Sequence, residues 1–125
     1  MSSAVTSGIR VQVKPEFRPD RSSSGRYVFT YTIRISNEGD QPAKLVSRHW
    51  IITDARGVRE EVVGEGVVGQ QPRLKAGETF EYTSFCVLTT PHGSMHGTYQ
   101  MVRDDGASFE VEIAAFALVT PGALN

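Results

Sequence analysis

The sequence predicts an all-β protein folded as an antiparallel sandwich. Segments in which apolar and polar residues alternate recur along the chain, turn-forming residues separate them, and no segment has the apolar period of a helix. About seven strands can be counted. Short alternating strands in this number are typical of two sheets packed face to face. We therefore expect a core enclosed between two antiparallel sheets.

The clearest strand is predicted for residues 27–35, YVFTYTIRI. Its odd-numbered positions are aromatic or aliphatic and most even-numbered ones are polar, so one face would point into the core and the other toward water. Residues 9–13, IRVQV, show the same alternation earlier in the chain. Pro15 is expected to end this strand, because proline has no N–H to donate to a neighbouring strand.

The middle of the chain predicts a hairpin. Residues 43–54, AKLVSRHWIITD, are rich enough in β-branched and aromatic residues for a central strand. Residues 58–64 can return beside it through a turn at 54–57, DARG. We expect these two segments to pair.

Three further strands complete the count. Alternate residues of 80–86 would share one face, residues 95–102 would form the next strand, and residues 109–113, FEVEI, alternate in the last. Asp105 and Gly106 would join the last two strands, since glycine tolerates the positive φ that tight hairpin turns require.

One segment narrows the fold class. Residues 96–101, HGTYQM, have the form of the tyrosine corner of immunoglobulin-like domains, in which Tyr99 would bond to the upstream backbone. Trp50 falls where such domains carry a core tryptophan, and Met101 where they carry a second cysteine. The sequence thus predicts an immunoglobulin or fibronectin type III-like sandwich held by packing alone.

Length and composition limit the function classes. The 125 residues are expected to form one domain, 1–125, with loose ends at 1–7 and 121–125. A net charge of -1 gives no reason to expect nucleic acid or an anionic membrane as a partner. Cys86 is the only cysteine, no signal-peptide pattern is present, and no apolar run approaches the roughly 20 residues of a transmembrane helix. These features favour a soluble, cytoplasmic protein.

Residues 64–69, GEGVVG, have the glycine spacing of dinucleotide-binding loops. In those loops a helix begins at the last glycine and its free N–H groups hold the pyrophosphate. Here Pro72, Gly77 and an alternating segment follow instead, so no helix is expected. We interpret the glycines as residues that permit a bulge or a close backbone approach in a connecting loop.

A weaker alternative keeps a ligand at this loop. Consecutive backbone N–H groups in a glycine loop can form an anion nest without a helix. Two basic residues nearby could assist such a nest, and the loop could equally contact a partner protein. The candidate site residues are Gly64, Gly66, Gly69, Arg73 and Lys75.

Catalytic and metal-binding patterns are not found in the sequence. The three histidines and one cysteine supply too few soft ligands for a tetrahedral metal site. Glu60 and Glu61 would point to opposite faces of a strand, and Asp104 and Asp105 are explained by their turn. No nucleophile motif occurs. We expect no metal, no cofactor and no enzymatic activity.

Residues 64–102 resemble the signature block of the bacterial ApaG family. The glycine loop, a Gln-Pro pair, a Leu-x-x-Gly-Glu turn, a Tyr-x-Ser strand and a Pro-x-Gly-Ser-Met-x-Gly-x-Tyr-x-Met segment follow in the family's order. Residues 48–50, RHW, and 109–113 also resemble it, so the match covers roughly residues 5–120. Phe85 departs from the pattern, which has a small residue there.

The resemblance implies a fibronectin type III-like sandwich and a role in contacting other proteins. Bacterial members are associated with cobalt and magnesium efflux phenotypes, and related eukaryotic domains are attached to F-box proteins and to a polymerase-interacting protein. We expect a non-enzymatic interaction or adaptor module whose partner is another protein. The alternative is a sensor that binds pyrophosphate, a nucleotide or a diadenosine polyphosphate at the glycine loop. Exposed sheet edges would also allow a homodimer.

Overall fold

The computed structural model describes residues 1–122. Within them, nine β-strands and one short 3-10 turn at Pro19–Arg21 account for the regular structure. The strands are β1 Ser2–Thr6, β2 Ile9–Phe17, β3 Tyr27–Asn37, β4 Ala43–Asp54, β5 Arg59–Glu65, β6 Arg73–Leu74, β7 Thr79–Leu88, β8 His92–Arg103 and β9 Ser108–Val119.

The strands form two antiparallel sheets. The first sheet has the order β1-β2-β3-β7, and the second has the order β5-β4-β8-β9 with the short β6 paired to β4. The all-β, antiparallel sandwich that the sequence predicts is therefore confirmed. So are the central position of β4, its hairpin with β5, and the turn at Asp105 and Gly106 between β8 and β9.

The core lies between the sheets and combines side chains from both. Phe29, Ile33 and Ile35 of β3 are buried, as the alternation in residues 27–35 predicts. Opposite them, the Trp50 ring lies 5.5 Å from that of Tyr31 and 6.0 Å from that of Phe116, measured between centroids. The edge-to-face arrangement of these rings adds to the free energy gained by burying them.

The prediction of a loose N-terminal segment at residues 1–7 is wrong. Residues 2–6 form β1, which pairs with β2 in the register Ser2 to Val13 and Thr6 to Ile9. The turn between them consists of Ser7, φ 49°, and Gly8, φ 83°. Two positive φ values are the signature of a tight hairpin turn, and the Ser-Gly pair is the signal for it. At the other predicted loose end, residues 121–122 form a turn and residues 123–125 lie outside the described residues.

Two further expectations are corrected. β2 does not end at Pro15 but continues to Phe17, because β1 pairs no further than Val13 and a proline is tolerated where a strand has an open side. The hydroxyl of Tyr99 does not bond to the upstream backbone. It pairs with the Tyr82 hydroxyl at 2.5 Å, because β7 brings that side chain between the sheets.

The two long edges of the sandwich differ. At the closed edge, β1 of one sheet contacts β9 of the other. The Glu112 N–H donates to Oγ1 of Thr6 at 3.1 Å, and Arg103 Nη2 donates to the Ser7 carbonyl at 3.0 Å. At the open edge, β5 and β7 are the outermost strands of their sheets and cavities open between them.

Candidate functional site

Arg48 lies at the mouth of the open edge, on the side of β4 that faces the other sheet. The register of β4 against β8 shifts between Leu45 and Ser47, where Val46 is the extra residue. A bulge of this kind reverses which positions face inward. Leu45 is buried before the bulge and Trp50 after it, so Arg48, two residues before Trp50, shares the inward face.

The backbone of the glycine loop fixes the Arg48 side chain. Nη1 of Arg48 donates to the carbonyl oxygens of Glu65 and Gly66, both at 2.9 Å. Arg48 is paired with Gly64 in the β4–β5 register. A Cβ at Gly64 would lie 2.8 Å from the guanidinium carbon, so the glycine leaves the space that the guanidinium occupies.

The rest of the glycine loop is a tight turn. Val67 and Gln70 exchange backbone hydrogen bonds of 2.8 and 2.9 Å around Val68, φ 44°, and Gly69, φ 79°. A β-branched residue with positive φ is strained. The Gly66 N–H donates to the Val46 carbonyl oxygen at 2.8 Å. The N–H groups of Gly66 and Val67 are therefore both hydrogen-bonded to carbonyl oxygens of the protein.

The structure brings only part of the predicted candidate site together. Gly69 lines a cavity with Arg48. The Gly66 carbonyl oxygen accepts a hydrogen bond from the Arg48 guanidinium, and Gly64 leaves the space that this guanidinium occupies. Arg73 lies elsewhere, in a two-point ion pair with Asp104 through Nε at 3.0 Å and Nη2 at 2.6 Å. The bond from Arg73 lowers the pKa of the Asp104 carboxyl.

Lys75 contributes to a turn through its backbone. Its backbone N–H donates to the Glu78 carboxylate at 2.7 Å. Lys75 is not among the residues that line the cavities beside Arg48, which open between β5 and β7. Whether the glycine loop binds an anion stays a prediction.

Two cavities meet at the open edge and share four lining residues, Tyr31, Arg48, Trp50 and Ser84. The larger, of about 360 Å³, extends along β7 toward Cys86 and along β5 toward Glu60. The smaller, of about 290 Å³, extends toward Tyr82 and the turn at Gly69. The mouth of the sandwich is therefore a polar and aromatic groove with a cation at its centre.

Burial keeps the proton on the tyrosine hydroxyls and on the cysteine thiol at this edge of the core at neutral pH. Burial raises the pKa of Tyr31, Tyr82 and Tyr99, and the charge of Arg48 opposes this in part. Burial, with a smaller contribution from the charge of Glu60, raises the pKa of the Cys86 thiol to about 11. A nucleophilic cysteine requires the opposite shift, so Cys86 behaves as a buried apolar group.

Exposed apolar side chains lie on the outermost strands of the open edge and in the loops beside them. Among the described residues, most of the large hydrophobic side chains that water reaches belong to β5, β7 or the loops beside them, and Val63 and Phe85 are 73% and 65% exposed. The group, called the rim below, consists of Val58, Val63, Val68, Phe85 and Val87. Val68, Phe85 and Val87 line the groove, and exposed apolar side chains beside a cavity are typical of binding surfaces. Val63 pairs with His49 and lies on the outer side of β5.

Metal ligands do not converge in the described part of the chain. No group of three or more His, Cys, Asp or Glu side chains there could hold a metal ion. His92 and His96 lie on β8, and His49 contacts Glu61 at 3.5 Å on the outer side of β4. No helix among these residues is long and apolar enough to cross a membrane.

Sequence reasoning missed Arg48 as a site residue. A signal was available, because a residue two positions before a core tryptophan on a strand shares its face. The cation nearest to a predicted core side chain is a stronger candidate than cations that are near only in sequence, such as Arg73 and Lys75.

The fold and the site define a small immunoglobulin-like β-sandwich that is open along one edge. A family model described as the ApaG domain matches residues 18–103. Proteins named ApaG are 67% identical in Anaeromyxobacter dehalogenans (strain 2CP-C), over 100% of both chains, and 56% identical in Dechloromonas aromatica (strain RCB), over 94% of each. The chain belongs to the ApaG family, as the resemblance in residues 64–102 predicted.

A solved structure agrees with this assignment. The crystal structure named for the ApaA protein of Bordetella pertussis superposes with a TM-score of 0.89 at 53% sequence identity. The alignment covers 91% of this chain and 94% of that one. Both sheets therefore have counterparts in a related protein.

Proposed function

We propose that the protein is a non-enzymatic interaction module that binds an extended segment of a partner protein at the open edge. The observation that carries the proposal is the combination of two outermost strands, β5 and β7, with the rim and the groove between them. An outermost strand has unpaired N–H and C=O groups, to which an extended peptide can add as a further strand. Alternate side chains of that peptide would then enter the groove or contact the rim.

The chemistry of the groove supports binding rather than catalysis. The Cys86 thiol is protonated and buried, and the tyrosine hydroxyls hold their protons. A reactive nucleophile or a base poised near neutral pH would need the opposite pKa shifts. The proposal includes a cytoplasmic location, and it makes the family's association with cobalt and magnesium efflux an indirect effect through the partner.

The test begins with short random peptides displayed on phage and selected on the immobilised protein. Recovered peptides are then bound to the isotope-labelled protein and the amide NMR shifts are assigned to strands. We expect the shifts to concentrate in β5 and β7. Absence of any sequence enriched over a bare-surface control, or shifts concentrated at the closed edge, would overturn the proposal.

Matched variants separate the two edges. The pair Val63→Thr and Phe85→Ser removes apolar surface from the rim, and we expect affinity for the selected peptides to fall about tenfold. The control pair, Val5→Thr and Val119→Thr, removes exposed apolar surface of β1 and β9 at the closed edge. It should leave the affinity unchanged within about twofold. Sedimentation of the wild type and of both variant pairs shows whether a second copy occupies the open edge instead. A dimer that only the rim pair disrupts would contradict a separate partner.

A second candidate is a sensor for pyrophosphate, a nucleotide or a diadenosine polyphosphate. The observation in its favour is that Gly69 and the cation Arg48 line the same cavity. Against it, the N–H groups of Gly66 and Val67 already have acceptors, and Glu65 adds negative charge to the same cavity. Calorimetry with pyrophosphate and diadenosine tetraphosphate tests it directly, and saturable heat that Arg48→Gln abolishes would support it.

A further inference from the structure

We propose that Arg48 is the residue that recognises the bound segment, through a two-point contact with an aspartate or glutamate side chain of the partner. The inference rests on the proposed function, because the carboxylate arrives on a segment that occupies the open edge. It adds a chemical specificity, an acidic residue at one position of the segment.

The free donors of Arg48 form a fork of the right geometry. Its Nη1 is occupied by the carbonyl oxygens of Glu65 and Gly66. Among residues 1–122, no hydrogen bond or ion pair is made by its Nε or Nη2. Those two nitrogens present parallel N–H groups that match the two oxygens of a carboxylate.

The same protein shows this fork in use at another position. Arg73 binds the Asp104 carboxylate through its own Nε and Nη2, at 3.0 and 2.6 Å. Arg73 therefore has its carboxylate within the chain, whereas the equivalent atoms of Arg48, a residue that lines the groove, have no such partner among residues 1–122. The carbonyl bonds at Nη1 hold the Arg48 guanidinium in place before any ligand arrives, which reduces the entropy lost on binding.

The surroundings strengthen an ion pair at Arg48. The guanidinium is partly buried and shares its cavities with Tyr31 and Trp50. Charges attract more strongly where aromatic walls exclude water, and a partly buried charge without a counterion is costly. Ser84 pairs with Tyr31 across β3 and β7 and lines both cavities, so its hydroxyl can also donate to the incoming carboxylate.

Charge and size favour a carboxylate over a phosphate. The two cavities hold about 290 and 360 Å³, enough for an acidic side chain on an extended backbone. Glu60 and Glu65 line them, and one guanidinium beside two carboxylates suits a single negative charge better than a doubly charged phosphate. Arg48 is the only cation that lines either cavity in the described structure.

The experiment is a double-mutant cycle with the peptides selected on the wild-type protein. Each peptide is synthesised with its acidic residues changed singly to the matching amide, Asp→Asn or Glu→Gln, and each is bound to wild-type and Arg48→Gln protein by fluorescence anisotropy. We expect one acidic position whose amide form binds about tenfold more weakly to wild type. The same change should have little effect on Arg48→Gln, because the contact is already lost.

Two further variants keep the result interpretable. Arg34→Gln removes an exposed arginine on the outer face of β3 and should leave the acidic preference intact. Gly64→Ala keeps Arg48 but places a Cβ where its guanidinium lies, so it should weaken the acidic preference without changing the net charge. If Arg48→Gln fails to fold, the peptide amides and Gly64→Ala still decide the question.

The outcomes separate this inference from the proposed function. Peptides that bind at β5 and β7 but tolerate every amide substitution would overturn the role of Arg48 and leave the open edge as the binding surface. Failure to recover any peptide would overturn both. Tighter binding of inorganic pyrophosphate than of acidic peptides, lost in Arg48→Gln, would contradict a protein carboxylate as the ligand.

Discussion

The closed and open edges border the same core but differ in what lies between the outermost strands of the two sheets. At the closed edge, hydrogen bonds from Glu112 to Thr6 and from Arg103 to Ser7 join one sheet to the other. At the open edge, the glycine loop turns its carbonyl oxygens toward Arg48, and the rim remains exposed. Under the proposed function, this difference assigns stability and recognition to opposite sides of one small sandwich.

The largest expected effect is on the core beside the closed edge. Ile113 of β9 is buried, and Ile113→Ala should leave a cavity that lowers the free energy of unfolding by about 2–5 kcal/mol. Urea unfolding followed by tryptophan fluorescence measures the change. If Ile113→Ala lowers the free energy of unfolding no more than a rim variant does, the two edges do not differ in their contribution to stability.

Alkaline pH should destabilise the protein through groups near the open edge. Burial raises the pKa of the Cys86 thiol from its ordinary value of 9.0 to about 11, so between these pH values the unfolded chain has released a proton that the folded protein keeps. The stabilisation is complete below about pH 9 and is lost as pH rises through about 11, by on the order of 2 kcal/mol for this group. The raised pKa values of Tyr82 and Tyr99 act in the same direction at higher pH.

Chemical unfolding at a series of pH values checks this dependence, with Cys86→Ala as the control. The variant should show a shallower decline between pH 9 and 11 than the wild type. Equal slopes in the two proteins would mean that burial does not hold the proton on Cys86.

A smaller effect is expected from the hydrogen bond that crosses the closed edge. Thr6→Val keeps the shape of the side chain but removes the acceptor of the Glu112 N–H, which should cost about 1 kcal/mol. Amide hydrogen exchange should become faster at Glu112 in this variant. Unchanged exchange there would show that the contact with Thr6 does not seal the edge.

The smallest effect on stability is expected at the rim. Phe85 is largely exposed on β7, and Phe85→Ser should change the free energy of unfolding by less than about 0.5 kcal/mol. The same variant is expected to impair peptide binding when combined with Val63→Thr. A large loss of stability would show that Phe85 serves packing, and the contrast between the edges would then fail.

Local patterns in the sequence predicted much of the fold. The alternation in residues 27–35 gave β3, and the turns at 54–57 and at Asp105 and Gly106 gave two hairpins, because these signals lie within a few residues of the structure they specify. The strand β1 was missed, since its residues are small and polar and only the Ser-Gly turn marks it.

The candidate site was harder to predict because it depends on non-local contacts. The inward position of Arg48 could be read from its spacing to Trp50, but its environment follows from which strands become outermost in each sheet. The pairing of Tyr82 with Tyr99 likewise joins residues of different sheets. Neither sequence spacing nor composition encodes such contacts directly, whereas the short motif at residues 64–69 drew attention to the loop that supports Arg48.

The most direct test of the open edge as the recognition surface is amide hydrogen exchange of the protein with and without a saturating selected peptide. We expect slower exchange in β5 or β7, where an added strand would satisfy unpaired N–H groups, and no change in β1 and β9. Protection confined to β1 and β9, or none in β5 and β7, would contradict it.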